Sequence, residues 1–130
     1  MAPSPIPEEI RRFVLTSIPS VPHLEALLLL RADDRAPWQP DRLASRLYVS
    51  DKVAAGLLED LHRAGMTFEI TTEGAPSAYR YQPGEHLRAT IDILADLYTR
   101  QLVDITHLIH SKLERKAQQF ADAFKWRKDS

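Results

Sequence analysis

Cationic side chains that could contact phosphate recur between residues 42 and 80 of this 130-residue chain. Arg42 and Arg46 are four residues apart, which places two side chains on the same face of a helix. Lys52 follows them closely, and Arg80 comes later in the chain. Guanidinium and ammonium groups form strong, charge-assisted hydrogen bonds with phosphate oxygens. With the nearby Ser50 hydroxyl, these four cations make up the candidate set for contacting an anionic partner.

Three residues further along have the donor types of a zinc site. His107 and His110 are three residues apart in a helical pattern, and Glu114 lies one turn beyond them. The sequence has no His-Glu-x-x-His motif, and Leu108 and Ile109 indicate that this stretch is also a packing surface. We therefore expect exposed or interfacial histidines, and we predict neither a metal nor any other cofactor.

The remaining polar residues do not indicate an enzyme. Ser45, Ser50 and Ser111 are not flanked by the glycines of a nucleophile elbow. The chain has no glycine-rich phosphate loop and no pair of carboxylates set in an apolar pocket pattern. Trp38 and Trp126 are more typical of core or interface aromatics than of residues that stack on a ligand.

The composition is that of a soluble globular domain, with 44% hydrophobic and 27% charged residues. The net charge is −1, so affinity for a polyanion requires a local basic patch. Cysteine is absent, which excludes disulfides and thiolate chemistry and agrees with a cytoplasmic location. The longest apolar run, residues 27–30, is far too short for a membrane span, and the proline-rich start does not read as a signal peptide.

Hydrophobic spacing predicts the helices that position these side chains. Residues 8–17 and 23–31 form the first two, and the second, which Ser20 can cap, is apolar enough to be central to the core. Pro40 opens a third helix, and Ser50 caps a fourth after a short turn. Their inward stripes are Leu43, Ala44 and Leu47 in the third helix, and Ala54, Leu57, Leu58 and Leu61 in the fourth.

The second half of the chain begins with a predicted hairpin. Gly65 supplies a left-handed cap to the fourth helix, and "MTFEI" and "AYRYQP" then form two strands around "TTEGAPS". A long helical pattern covers residues 85–112, and a short helix is expected at about residues 117–124.

The order helix, short turn, helix and hairpin is most informative in the stretch "LASRLYVSDKVAAGLLEDLHRAGM", residues 43–66. The stretch resembles the core of bacterial winged helix-turn-helix regulators of the MarR type and their relatives. In that pattern a Leu-Ala-x-x-Leu helix is followed by Val-Ser and by a second helix ending in Leu-x-x-x-Gly. The resemblance covers about residues 20–83. It implies a mainly α fold with a small β-hairpin, in which a winged helix-turn-helix domain with an N-terminal helix occupies residues 1–83. Residues 84–130, outside the resemblance, are expected to form a helical dimerisation region with a long C-terminal helix.

The resemblance also implies a transcriptional regulator that binds duplex DNA through the second helix of the motif. The exposed face of that helix lacks the arginine that most often reads guanine, because it carries Ala55, Gly56, Glu59 and Asp60. We therefore expect contacts to phosphate, with strong salt dependence and little base preference, made by Arg42, Arg46, Ser50, Lys52 and Arg80. The alternative for each arginine is ordinary surface charge.

Two other functions stay open at the level of the sequence. One is a winged helix without DNA contact that binds an unidentified protein through its acidic second helix and its apolar C-terminal region. The other is a ligand sensor with a pocket between the long helix and the core.

The long C-terminal pattern carries an apolar stripe at alternating four- and three-residue steps, interrupted at Gln101. Such a stripe is typical of a seam between two helices, and we predict a homodimer through it. The alternative is that the stripe packs across its own winged helix. The stripe consists of Leu87, Ile91, Leu94, Tyr98, Ile105 and Leu108.

Overall fold

The computed structural model describes the backbone of residues 6–128 and the side chains of residues 6–111 and 118–121. Within this part the chain is mainly helical with one antiparallel pair of strands, as the sequence predicts. The elements are α1 (Glu8–Ser17), α2 (Val21–Ala32), α3 (Pro40–Leu47), α4 (Asp51–Arg63), β1 (Thr67–Ile70), β2 (Ala78–Tyr81), α5 (Glu85–Arg100) and α6 (Leu102–Lys128).

Helix α2 lies at the centre of the core, where it contacts α3, α4 and β2. Ser20 caps it as predicted, because its Oγ accepts a hydrogen bond from the His23 backbone N–H at 3.3 Å. No single helix in the described residues is long and apolar enough to cross a membrane, and α1 and α2, which pass that test only as a pair, are bent by 107°. The fully buried side chains of α2 are Leu24, Ala26, Leu27 and Leu30.

Helices α3 and α4 pack against each other through the two predicted stripes. Ala44 is buried at this crossing, and its small side chain allows the two helices to approach closely. The chain reverses at Tyr48, which has φ 59° and ψ 45°, and Ser50 then caps α4 by accepting from the Val53 N–H at 3.1 Å. Gly65 has φ 81°, which confirms the left-handed cap expected there.

Strands β1 and β2 pair with Thr67 opposite Tyr81 and Ile70 opposite Ala78. The loop before α3 adds a short third segment, because Trp38 exchanges two backbone hydrogen bonds with Tyr79 at 2.8 and 2.9 Å. The Trp38 side chain is buried in the core, as expected, whereas Trp126 lies outside the described side chains. This segment fixes the hairpin against the start of α3.

The prediction of one continuous helix over residues 85–112 is wrong. The backbone leaves the helical conformation at Gln101 (φ −131°, ψ 50°), where α5 ends and α6 begins. Helix α6 then continues to Lys128, so the short helix expected at about residues 117–124 is part of it. Apolar periodicity continues on both sides of Gln101, and a single non-helical residue leaves little trace in such a pattern.

The predicted dimer stripe faces the chain's own core on both sides of the break. Ile91, Leu94 and Ile105 are fully buried there. The other three members, Leu87, Tyr98 and Leu108, are partly buried against the same core. These side chains therefore pack within their own chain, which is the alternative that the sequence left open. Pairing of two copies stays a prediction. Ile91, Leu94 and Ile105 are buried within a single chain, so their side chains are not accessible to a second copy.

Helix α1 packs against both α5 and α6. Its buried residues, Ile10 and Val14, belong to the same hydrophobic cluster as the buried residues of α2, α4 and α5. The expected division into residues 1–83 and 84–130 thus runs through one continuous core, which α1 shares with the C-terminal helices.

Candidate nucleic-acid interface

Arg42 is engaged inside the chain. Its Nη2 lies 2.6 Å from Asp33 Oδ2, and its guanidinium carbon lies 3.7 Å from the centroid of the Trp38 ring. These contacts fasten the first turn of α3 to the loop that follows α2. A phosphate would have to displace the Asp33 carboxylate before it could bind Arg42.

Arg46 and Lys52 are placed differently. Both side chains are exposed, and neither forms an ion pair with any residue that the structure describes. Arg46 lies in the last turn of α3 and Lys52 in the first turn of α4, so they flank the turn between the two helices. The positive end of the α4 dipole lies at the same place. The Ser50 hydroxyl accepts from the Val53 N–H, and its own hydrogen can still be donated outward.

Arg80 lies on the hairpin, directly opposite Phe68 in the strand register. Its guanidinium carbon is 5.9 Å from the centroid of the Phe68 ring, and Nη2 donates to Gln82 Oε1 at 3.4 Å. No carboxylate in the described part of the chain pairs with it. Arg80 is therefore a third cation whose charge is not neutralised inside the chain.

An acidic groove of ≈ 260 Å³ lies between the middle of α4, from Ala55 to Glu59, and the hairpin. Glu59, Glu69 and Tyr79 line it, and the Tyr79 hydroxyl donates to Glu69 Oε1 at 3.5 Å. Burial raises the pKa of Tyr79, and the negative charges of Glu69 and Glu59 raise it further, so its hydroxyl stays protonated at neutral pH. His62 Nε2 lies 3.7 Å from Glu69 Oε2 on the same side. This groove repels phosphate.

Asp60 is held in a chain of polar contacts that ties α4 to α2. Its Oδ2 lies 2.8 Å from His23 Nε2, and its Oδ1 accepts from Arg63 Nη2 at 2.6 Å. The other ring nitrogen of His23 lies 2.6 Å from Ser20 Oγ. Two basic partners therefore face this carboxylate, whereas Glu59 has no cationic partner in the described residues.

The middle of α4 presents small side chains. Ala55 and Gly56 are half-exposed, and apart from the adjoining backbone of the helix no atom lies within 4 Å of the position that a Cβ at Gly56 would occupy. A glycine inside a helix costs about 1 kcal/mol relative to alanine, and nothing in the described part of the chain requires one here. This part of α4 can approach another surface closely.

No family model matches the chain, and no curated protein sequence matches it. Solved structures do. The homodimeric winged helix-turn-helix DNA-binding domain of a possible ArsR-family transcriptional regulator from Mycobacterium bovis has a TM-score of 0.53 and 18% identity, over 78% of this chain and 94% of that one. MepR, a transcription regulator of the multidrug efflux pump MepA of Staphylococcus aureus, has a TM-score of 0.52 and 9% identity, over 90% and 88% of the two chains. A MarR family protein from Bacillus stearothermophilus has a TM-score of 0.52 and 16% identity, over 88% and 84%.

The fold is a winged helix-turn-helix. Helices α3 and α4 are its helix-turn-helix, α4 occupies the position that this fold names the recognition helix, and the hairpin of β1 and β2 is the wing. The resemblance to MarR-type regulators and their relatives, which the sequence indicated through residues 43–66, is confirmed at the level of the fold.

The winged helix brings some predicted residues together and separates others. Arg46, Ser50 and Lys52 surround the turn before the recognition helix, whereas Arg80 lies apart from them on the wing. The acidic groove was only half expected from the sequence. The sequence places Glu59 on the exposed face of the helix but gives no sign of Glu69 and Tyr79, because strand pairing and the packing of the wing on α4 bring them there.

The histidines lie elsewhere, and the ligand sensor that the sequence left open stays an alternative. His107 and His110 are exposed on α6, and Glu114 lies outside the described side chains. Among the side chains that are described, no group of three His, Asp or Glu residues is arranged to hold a metal. An open cavity of ≈ 370 Å³ lies between α2 and α5, where Arg31 Nε and Asp92 Oδ1 are 2.9 Å apart.

Proposed function

We propose that this winged helix is a dimeric transcriptional regulator that binds duplex DNA mainly through the phosphate backbone. The observation that carries the proposal is the pair of unneutralised cations, Arg46 and Lys52, on either side of the turn that leads into the recognition helix. In helix-turn-helix proteins the N-terminal part of that helix enters the major groove. Of the solved proteins with this fold, one is described as a DNA-binding domain and another as a transcription regulator, which supports the same class.

The proposed contacts are to phosphate because the recognition helix offers little to the bases. Its exposed face has small residues at Ala55 and Gly56 and a carboxylate at Glu59, none of which forms the arginine–guanine contact. The cations proposed to bind phosphate are Arg46, Lys52 and Arg80, with the Ser50 hydroxyl as an additional donor. Arg42, which the sequence placed in this set, has its charge satisfied by Asp33.

The test is the salt dependence of duplex binding, because each phosphate contact contributes about 0.9 to the slope of log K against log salt. We expect a slope of about −3 per protomer from the three cations. Arg46→Ala and Lys52→Ala should each flatten it by about one. Arg12→Ala is the matched control, since Arg12 is also exposed and unpaired but lies on α1. Failure of the wild-type chain to bind any duplex at low salt contradicts the proposal.

The dimer is proposed to form through apolar residues that the fold leaves uncovered. Leu102, Val103 and Phe120 of α6 are 52%, 63% and 74% exposed. Leu102 and Val103 are adjacent at the start of α6, and neighbouring exposed apolar side chains are typical of an association surface. Leu102→Glu with Val103→Glu should therefore lower the sedimentation mass from dimer to monomer. Thr99→Glu on α5, which adds charge at another exposed position, should leave it unchanged. A wild-type chain that is monomeric at tens of micromolar contradicts this arrangement.

A second candidate function rests on the acidic groove. Glu59 and Glu69 face a cavity of ≈ 260 Å³ between the recognition helix and the wing, and such a surface favours a basic protein segment over DNA. In this alternative the winged helix is a protein-interaction module. If duplex DNA is not bound at low salt, Glu59→Gln and Glu69→Gln become the variants that test it.

A further inference from the structure

The turn of the helix-turn-helix carries a tyrosine in a conformation that disfavours it. Tyr48 has φ 59° and ψ 45° and is the only non-glycine residue with positive φ in the described chain. The left-handed region crowds the Cβ of an L-residue, whereas glycine enters it freely. At the other two positive-φ positions of the described residues the chain has glycine, Gly65 and Gly74.

Nothing inside the described chain explains a tyrosine at this position. Its side chain is 94% exposed, the highest value among the large hydrophobic residues described. Neither its ring nor its hydroxyl has a partner in that part of the chain. The turn itself is held by backbone groups, since the N–H groups of Tyr48 and Val49 both donate to the Ala44 carbonyl. Any residue that tolerates the left-handed region makes those hydrogen bonds, so the ring adds no intramolecular contact to offset the strain.

The surroundings of Tyr48 indicate the chemistry of its partner. Arg46 precedes it by two residues and Lys52 follows it by four, and both are exposed and unpaired in the described part of the chain. Asp51 is the sole carboxylate between residues 45 and 53. A flat apolar ring with a hydroxyl donor, between two unpaired cations in the sequence, suits a strand that alternates apolar sugar with anionic phosphate.

We propose that Tyr48 is a DNA-backbone contact residue, whose ring packs against a deoxyribose while its hydroxyl donates to the neighbouring phosphate. The inference rests on the proposed binding of duplex DNA. The left-handed turn holds the ring away from the protein before DNA arrives, and a tyrosine side chain has few rotatable bonds to immobilise. Both features reduce the entropy lost on binding. The backbone strain at Tyr48 in the free protein is thus the cost of holding its ring in the orientation that binds DNA.

Tyr48→Gly separates this role from a structural one, because the two readings predict opposite changes in stability. Glycine relieves the strain of the left-handed position, about 1–2 kcal/mol, and its greater entropy in the unfolded chain offsets about 0.5–1 kcal/mol of this. The unfolding midpoint should therefore stay equal or rise, by up to roughly 5 °C for a domain of this size. The same variant should bind a short duplex roughly ten- to a hundredfold more weakly, since it loses both the ring contact and the hydroxyl. Tyr48→Phe keeps the ring and should weaken binding by roughly three- to tenfold, with an unchanged salt slope because the hydroxyl carries no charge.

The full-length chain and its variants are measured on one duplex at low salt, with thermal melts run alongside and Arg46→Ala as the positive control. Weaker binding by Tyr48→Gly together with an equal or higher midpoint supports the proposal. Wild-type affinity in Tyr48→Gly, with a loss in Arg46→Ala, overturns it and leaves the DNA-binding function standing. A lower midpoint in Tyr48→Gly also overturns it, because the ring would then stabilise the fold from within. If the wild-type chain binds no duplex, the proposed function and this inference fail together.

Discussion

Tyr81, the last residue of β2, is buried with its hydroxyl unsatisfied, and we predict that Tyr81→Phe stabilises the protein. Its side chain is 4% exposed, and its hydroxyl oxygen has no hydrogen-bond partner in the described residues. The guanidinium of Arg88 lies over the ring, 5.2 Å from its centroid. Phenylalanine keeps the ring and this contact and removes only the unsatisfied hydroxyl.

The expected gain follows from the penalty for burying a polar group without a partner. That penalty is about 1–3 kcal/mol for a hydroxyl, and the lower end applies here because only the oxygen is deleted from otherwise intact packing. We therefore expect the free energy of unfolding to rise by about 1 kcal/mol. For a domain of this size, that corresponds to an increase of about 3–5 °C in the unfolding midpoint.

The same substitution should change the response to alkaline pH. Burial raises the pKa of Tyr81 above its ordinary value of 10.0, and the charge of Asp92 raises it further, while Arg88 and Arg31 act in the opposite direction. The unfolded chain therefore loses this proton first as pH rises. Stability from the neutral tyrosine is complete below pH 10 and is lost as pH rises through the higher pKa of the folded state. Tyr81→Phe should lose less stability above pH 10 than the wild-type chain.

Denaturant unfolding at neutral pH and at several values above pH 10 measures both effects. Tyr79→Phe is the matched control, because the Tyr79 hydroxyl donates to Glu69 and its removal offers no gain. Part of the alkaline loss should persist in Tyr81→Phe, since burial also raises the pKa values of Tyr79 and Tyr98. If Tyr81→Phe lowers the free energy of unfolding at neutral pH as much as Tyr79→Phe does, the Tyr81 hydroxyl is not an unsatisfied group and the prediction is wrong.

Three further predictions concern the helix-turn-helix. Ala44→Leu should overpack the crossing of α3 and α4 and lower the free energy of unfolding by about 1–3 kcal/mol; an unchanged thermal melt would count against the close packing. Arg42→Ala should lower stability by about 0.5–1 kcal/mol, through loss of its contacts with Asp33 and Trp38, and leave the salt slope of DNA binding unchanged. Gly56→Ala should raise the free energy of unfolding by up to about 1 kcal/mol, and a loss of duplex affinity in the same variant would place DNA against this part of α4.

The parts of the fold that follow from the sequence are those set by local spacing. The four-residue apolar stripe of α4 specifies its buried face, Ser50 specifies where it begins, and Gly65 specifies the left-handed residue after it. Each of these depends on residues within one or two helical turns, so no knowledge of the distant chain is needed.

The parts that could not be predicted depend on contacts between distant residues. His23 and Asp60 are 37 residues apart, and only the packing of α2 on α4 brings their side chains to 2.8 Å. The sequence contains no sign that Arg42 is paired, because its partner Asp33 lies in a loop, and hydrophobic periodicity does not predict the path of a loop. The stripe of α5 and α6 was compatible with a dimer seam or a core face, and packing against α1 and the rest of the core buries Ile91, Leu94 and Ile105 within the chain.

The arrangement of charge along the recognition helix limits how it could meet DNA. Its N-terminal end has Lys52, the nearby Arg46 and the positive end of the helix dipole, while its middle borders the groove of Glu59 and Glu69. A duplex lying along the whole helix would bring phosphate toward two carboxylates, so the favourable approach is by the N-terminal end and its preceding turn. Tyr48 occupies that turn. Tyr48, Arg46 and Lys52 thus lie at the N-terminal end of α4, where a DNA strand would be attracted by the two cations and would not contact the acidic groove.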